Sequence, residues 1–461
     1  MSSARYVRVF RVVALAFVPA LLVAAELTLR ATEPPQPTLD LPTGWQGDAR
    51  VVTDHNRDTP LEAYTTPDGE PHIRTTSAMK TSRFMHDVDY AQQRPDGVLR
   101  VFCFGGSATL GVPVEATPER TFPGRLQAAL QNADVPAEVI NLGGASFGSS
   151  RVVELMAQAV GHQPSALVVY SGNNEFFEYA LALHQRNARQ ADTVFERRSG
   201  LRLVRWLYGL SDALEGAQPA APEDLEQRQQ ALVRTAVELE LYRDPSTSPQ
   251  PVGDDGWRRR DAPYRAVMDR YRDNLDAMVE LASGVAPLVL VAVPPNLHQA
   301  PFQAAHDPAL RPSQIASWQR DVAGAQQALD NGDPNGATGM LDSAIAGDPI
   351  HAQAHYLRGL AWLEAGDALQ ASRDLHNALE LDMAPGRPLA AQTEAILALA
   401  NPPAVVVVDP GPSFEAYGLA RGGEGHFHDA CHLTPGGYDL LARHVAHALE
   451  GAGVSEPIEG Y

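Results

Sequence analysis

Cysteine is nearly absent. Of 461 residues only Cys103 and Cys431 carry a thiol, too few for a disulfide framework. A bond between the two would need Cα atoms within about 7 Å, and Cys103, inside an apolar run, reads instead as a small buried apolar residue. Basic residues are scarce as well, 36 against 56 acidic for a net charge of −20. A phosphate backbone would be repelled by such a chain, so nucleic acid is excluded as a partner. At the N-terminus the uncharged core from Val12 to Ala25 falls short of the ~20 residues that span a bilayer. The stretch from Val7 to Leu29 reaches that length if its arginines snorkel.

The same segment nevertheless carries an address. Arg5, Arg8 and Arg11 precede the apolar stretch, Glu26 and Arg30 close it, and Val23-Ala24-Ala25 has the small residues of a signal-peptidase site. Basic before apolar keeps the N-terminus inside and exports the rest of the chain. Residues 1–30 are expected to be a signal anchor or cleaved signal peptide, placing the rest of the chain at the cell membrane outside the cytoplasm, or leaving it secreted or periplasmic. Pro34-Pro35-Gln36-Pro37 is linker composition, and 31–97 reads as an irregular lead-in without sustained period.

From Val98 the pattern sharpens. The apolar run 98–104 ends at Gly105-Gly106, and 139–142, 166–170, 288–293 and 405–408 are further apolar strands. Helical spacing lies between them at 121–131 and 151–160, and a last helix runs through about Leu449. Continuous apolar strands alternating with helices predict an α/β, three-layer sandwich around a central parallel sheet. Its parts are 98–184, 263–312 and 385–461. A charged, largely helical insertion at 185–262, including Glu223 to Leu241, could cover the site as a lid.

A second insertion, 313–384, repeats with a period of 34 residues. Asn331-Gly332-Asp333, Ala337, Leu341, Ala344 and Asp348-Pro349 return as Ala365-Gly366-Asp367, Ala371, Leu375, Ala378 and Asp382-Met383, the second copy preceded by Tyr356, Gly359 and Ala361. Period and small residues resemble a tetratricopeptide helix pair. Two copies are below the roughly three that stand alone, so they are expected to pack on the α/β domain. A protein or peptide partner at the repeat is the corresponding expectation.

Chemistry concentrates in loops after the strands. Ser107 comes directly after Gly105-Gly106, where a sharp turn can project a hydroxyl; the same sequence also serves ordinary chain reversal, and Thr109 departs from the Gly-x-Ser-x-Gly elbow. In His426-Phe427-His428-Asp429-Ala430-Cys431-His432 an Asp three residues before a His can orient an imidazole. Three histidines, an aspartate and a cysteine can equally be ligands to a metal.

Four motifs stand in order: Gly105-Gly106-Ser107, the segment Asn141-Leu142-Gly143-Gly144-Ala145-Ser146-Phe147-Gly148, Gly172-Asn173-Asn174-Glu175, and Asp429-x-x-His432 before the last helix. Together they resemble the SGNH, or GDSL-type, serine hydrolases, over less than half of the chain. The resemblance implies Ser107 as nucleophile, His432 as general base and acid, and Asp429 as its orienting partner. It implies an oxyanion hole of the Ser107 and Ser146 N–H groups and the Asn174 amide, with Gly144 the alternative backbone donor. Asn173, Glu175 and Arg151 are candidates to support the site or touch substrate, although Arg151 and Glu178 read first as surface charge. Gly106 and Glu175 depart from the family, which usually has Asp at both places.

The activity so implied is hydrolysis of an O-acyl ester, with cell-envelope polysaccharide or lipid as candidate substrates, no cofactor, and the membrane as partner of the N-terminal helix. An O-acyltransferase would use the same residues. Two other classes compete: a metallohydrolase using His426, His428, Asp429 and His432, and a tethered interaction protein in which the repeat works and the hydrolase fold is a scaffold.

Overall fold

The computed structural model describes residues 60–77, 79, 85–115, 117–179, 250–251, 257–258, 262–420 and 425–455. The N-terminal address segment and nearly all of the 185–262 insertion, with its expected helix from Glu223 to Leu241, lie outside the described residues. Among the described residues no helix is long and apolar enough to cross a membrane.

The lead-in is more ordered than its sequence suggests. Strands β1 (Leu61–Thr65), β2 (Pro71–Thr75) and β3 (Asp89–Ala91) form an antiparallel sheet. The turn between the first two is Thr66-Pro67-Asp68-Gly69-Glu70, closed by the Glu70 carbonyl accepting from Thr66 N–H at 2.9 Å. A Pro-Asp-Gly turn is a mechanistic hairpin signal, and the expectation of an irregular 31–97 is corrected for this portion. Strands of three to five residues were too short for a periodicity to declare itself.

The main body begins with β4 (Leu99–Gly105) and continues through α1 (Ser107–Leu110), α2 (Phe122–Asn132), β5 (Ala137–Gly143), α3 (Ser149–Ala159), β6 (Ala166–Tyr170), α4 (Ala262–Ala282) and β7 (Leu288–Val291). Helices α5 (Pro312–Asp330), α6 (Pro334–Gly347), α7 (Ala352–Glu364) and α8 (Ala368–Glu380) come next. Then come α9 (Ala390–Leu397), β8 (Val405–Val408), α10 (Gly411–Ala420) and α11 (Pro435–Gly451). Strands β4 to β8 form one sheet, ordered β8-β7-β6-β4-β5, with every pairing parallel. This is the predicted α/β architecture with a central parallel sheet.

Strand alternation divides the core. Val101 and Cys103 face Phe122, Leu126, Tyr438, Leu441 and Val445 of α2 and α11; Phe102 and Phe104 face Val152, Met156, Tyr271 and Met278 of α3 and α4. Both cysteines are buried and free. Register then sets the site: Gly105 pairs with Gly143 and with Tyr170, and Tyr170 with Val291. The strands therefore end in one row, and the loops beyond them gather at the edge where open parallel sheets place ligands.

The 34-residue repetition in sequence is a repetition in space. Helices α5 and α6 form one hairpin and α7 and α8 another. Gly332 and Gly366 occupy left-handed turns at φ +72° and +82°, and Asp333 and Asp367 accept the N–H groups of Gly336 and Gln370 at 2.9 and 3.1 Å, capping α6 and α8. Each such cap is worth about 1 kcal/mol. Close packing shows at Gly359, where a Cβ would lie 2.8 Å from the Leu375 side chain. The aspartates that end the copies also do equivalent work. Asp348 accepts from Asp307 N–H and pairs with His306 at 2.7 Å; Asp382 accepts from Phe302 and Gln303 N–H at 2.9 and 3.1 Å. Both carboxylates are fully buried and fasten the hairpins to the segment leaving β7.

Candidate active site

Loop 426–434 is a small closed unit. Phe427 pairs with Leu433 across it, His428 N–H donates to His432 O at 2.8 Å, and Thr434 N–H donates to His426 O at 2.8 Å. Inside the turn the Asp429 carboxylate accepts from the N–H groups of Cys431 and His432 at 2.9 and 2.8 Å. Its other oxygen lies 2.6 Å from His432 Nδ1. The three-residue spacing thus brings carboxylate and imidazole together, as expected from the sequence. The opposite ring nitrogen, Nε2, is 2.7 Å from Ser107 Oγ, across 325 positions of sequence.

The electrostatics arise from this packing. Burial pushes the Asp429 carboxyl upward, but the His432 bond and charge and the two backbone N–H groups outweigh it and hold the group at about 2. Burial alone would depress His432; the Cys431 sulfur and the Asp429 carboxylate overcome that and raise its pKa above the ordinary histidine value. His432 is 6% exposed, whereas Ser107 remains half-buried at the sheet edge.

The turn bearing Ser107 is built by its neighbours. Thr109 Oγ1 donates to Tyr170 O at 2.9 Å, and Asn141 Nδ2 donates to Thr109 O at 3.0 Å while its oxygen accepts from Gly143 N–H at 2.9 Å. Thr109, which in the sequence stood out only as a departure from another motif, ties α1 to β6. Gly106 has a specific cause: a Cβ there would lie 2.5 Å from Asn174 Nδ2 and 2.9 Å from Phe147 O. An aspartate, usual in the resembled family, has no room.

Three candidate donors belong to the loops around this turn. Asn174 Nδ2 donates to Phe147 O at 2.9 Å, which fixes the amide orientation because a carbonyl can only accept. The N–H groups of Ser107 and Ser146 have no protein acceptor among the described residues. Gly144 N–H, by contrast, donates to Gly105 O at 3.0 Å, so of the two candidates in the second motif only Ser146 keeps its donor free. Ser146 sits at φ +60°, an uncommon conformation for a residue with a side chain and one found at functional loops. Asn173 points elsewhere, with Nδ2 at 3.4 Å from both Asn174 Oδ1 and Cys431 Sγ.

Glu175 is buried and accepts Ser149 N–H at 2.9 Å and Ser149 Oγ–H at 2.5 Å. It therefore seals the N-terminus of α3 against the loop carrying Asn174, where a carboxylate is favoured by the helix dipole. Burial and the neighbouring Glu178 push its carboxyl up to about 7 against those bonds. Arg151 and Glu178 do not behave as surface charge. Glu178 is 1% exposed, Arg151 Nε lies 3.6 Å from it, Arg270 reaches its other oxygen at 3.3 Å, and the Arg151 guanidinium stacks over Phe147. Helix α3 and its entry loop needed a buried counter-ion, and Glu178, just beyond the third motif, supplies it.

Of the four residues weighed as metal ligands, the geometry gathers only two. Among the described residues the ligand-type cluster is Asp429, Cys431 and His432, while His426 stacks on Tyr417 and His428 is exposed. Both ring nitrogens of His432 already face Asp429 and Ser107. Compared with known proteins, the chain matches no family model, and no curated protein matches it.

Proposed function

We propose that this chain is an SGNH/GDSL-type serine hydrolase that cleaves an O-acyl ester, working at the outer side of the cell membrane or beyond it. One observation carries the reading. Ser107 Oγ, His432 and Asp429 stand in series at 2.7 and 2.6 Å, at the sheet edge where unpaired N–H groups collect.

In this reading Ser107 Oγ attacks the ester carbonyl while His432 Nε2 takes its proton, and Asp429 stabilises the imidazolium. The oxyanion forms against the N–H groups of Ser107 and Ser146 and the amide of Asn174. His432 then protonates the departing alcohol, and water repeats the sequence in reverse to free the acid and Ser107. With a sugar or lipid hydroxyl in place of water the same residues give an acyltransferase, the outcome depending on how far water is kept from the acyl-enzyme. The paired hairpins α5–α8 are proposed as a tetratricopeptide-like insertion and the first thirty residues as anchor or signal.

The test is hydrolysis of short- and long-chain acyl esters by wild type and Ser107→Ala. Turnover by wild type that disappears in the variant is expected. Equal turnover by both, or none by wild type on any ester, contradicts the reading.

A further inference from the structure

The hairpins α5–α8 return to the sheet through a segment that is itself buried beneath the site. Asp382, at the end of the second hairpin, is fully buried and faces Arg387, 1% exposed, at 3.4 Å. Arg387 does not look toward solvent. Its Nη1 donates to Asn296 O and to Gln299 O, each at 2.8 Å, gripping the loop after β7. A guanidinium is costly to bury unless its donors are used; here Nη1 is spent on two main-chain carbonyls of one loop and Nη2 on the Asp382 carboxylate, while Nε has no partner among the described residues.

Asn296, so gripped, faces the catalytic loop. Its Nδ2 donates to Asp429 O at 2.8 Å, its N–H donates to Ala430 O at 3.3 Å, and its Oδ1 accepts from His298 N–H at 3.1 Å, which locks the side chain. A second contact comes from α9, five residues beyond Arg387. Gln392 Nε2 donates to Gly172 O at 2.5 Å, while its Oε1 accepts from Leu389 N–H at 2.8 Å. One return segment thus touches both the loop behind Asp429 and the turn bearing Asn174.

We propose that Arg387, beside Asp382 at the end of the helical insertion, acts through Asn296 as a positioning relay for the Asp429–His432 loop. The relay rests on the acyl-transfer reading. Asn296 holds the carbonyls of Asp429 and Ala430, and so sets where the carboxylate meets His432 Nδ1. Neither Asn296 nor Arg387 reaches the reacting atoms; both act on the loop that does.

The test measures kcat and KM for p-nitrophenyl acetate across pH in wild type, Asn296→Ala, Arg387→Lys, the double variant and Ser107→Ala, with Tm for each. Asn296→Ala should lower kcat by roughly 10- to 100-fold, the scale of an ångström-sized misplacement, with KM little changed. Its acid limb should move down toward that of an ordinary histidine, a shift that lost packing alone would not produce. Arg387→Lys keeps charge beside Asp382 but loses the fork, so kcat should fall in the same direction. The double variant should be no worse than Asn296→Ala, because one residue acts through the other. Should Arg387→Lys fail to fold, the half-buried and uncharged Asn296 still tests the relay alone. Wild-type kcat and acid limb in Asn296→Ala, with Ser107→Ala inactive, overturn the relay and leave the acyl-transfer reading standing. Activity retained in Ser107→Ala removes the reading on which the relay rests.

Discussion

A carboxyl held at about 2 is ionised throughout any ordinary working range, so Asp429 offers His432 a permanent negative partner. In the proposed reaction His432 takes the Ser107 proton only when neutral, and its raised pKa means that the neutral fraction falls as pH drops below that raised value. The acid limb of kcat/KM should therefore sit above about 6.5 in the wild type, the unperturbed value for histidine. In Asp429→Asn the limb should move down, and kcat should fall by about 10⁴ because the amide no longer selects the useful tautomer. A pH–rate profile of both proteins checks this, and an unchanged limb would deny Asp429 its role. The asparagine pair is tested in the same assay. Asn174→Ala should cost about 100- to 1,000-fold in kcat, and Asn173→Ala far less, since the Asn173 amide is turned toward Cys431 Sγ. The reverse ranking would mean that the wrong member of the pair faces the oxyanion.

At the scale of elements, the sheet strands were legible because a strand covered on both faces must be apolar along its whole length. Val405 to Val408 and Ala166 to Tyr170 needed no other cue. Strands β1 to β3 escaped because they are short and one-sided, although Pro67-Asp68-Gly69 marked their turn. The choice between Gly144 and Ser146 was not legible either, as it depends on which N–H the sheet consumes. Arg100 was equally silent in the sequence, a lone charge within an apolar strand. Its fully buried guanidinium reaches Glu138 at 2.6 Å, His162 O at 2.7 Å and Ala91 O at 2.8 Å. It joins the lead-in sheet to β5 and to the loop before β6. Arg100→Met leaves those groups without their donor and should cost about 3 kcal/mol or more, read as a lower urea midpoint at unchanged slope. A midpoint within error of wild type would show that the linkage is not structural.

Across the whole molecule, the candidate site was legible in its four motifs and the supports behind it were not. Ser107, Asn174, Asp429 and His432 carry recognisable local spacing. Asn296, Arg387 and Gln392 are brought in from 91 to 220 positions away and make their contacts to main-chain carbonyls, which leave no trace in side-chain pattern. Export, as proposed, would concern the whole chain: a reporter fused after Tyr461 should be found outside the cytoplasm, given Arg5, Arg8 and Arg11 before Val12. A cytoplasmic reporter would refute that address. The central proposal is Ser107 as a nucleophile activated through His432, and peptide mapping after reaction with a fluorophosphonate probe reads that role directly. One phosphonyl adduct is expected, on the peptide containing Ser107, absent from Ser107→Ala and formed far more slowly in His432→Ala. An adduct on another residue that persists in Ser107→Ala, or a folded wild-type protein that takes up no probe, would contradict it.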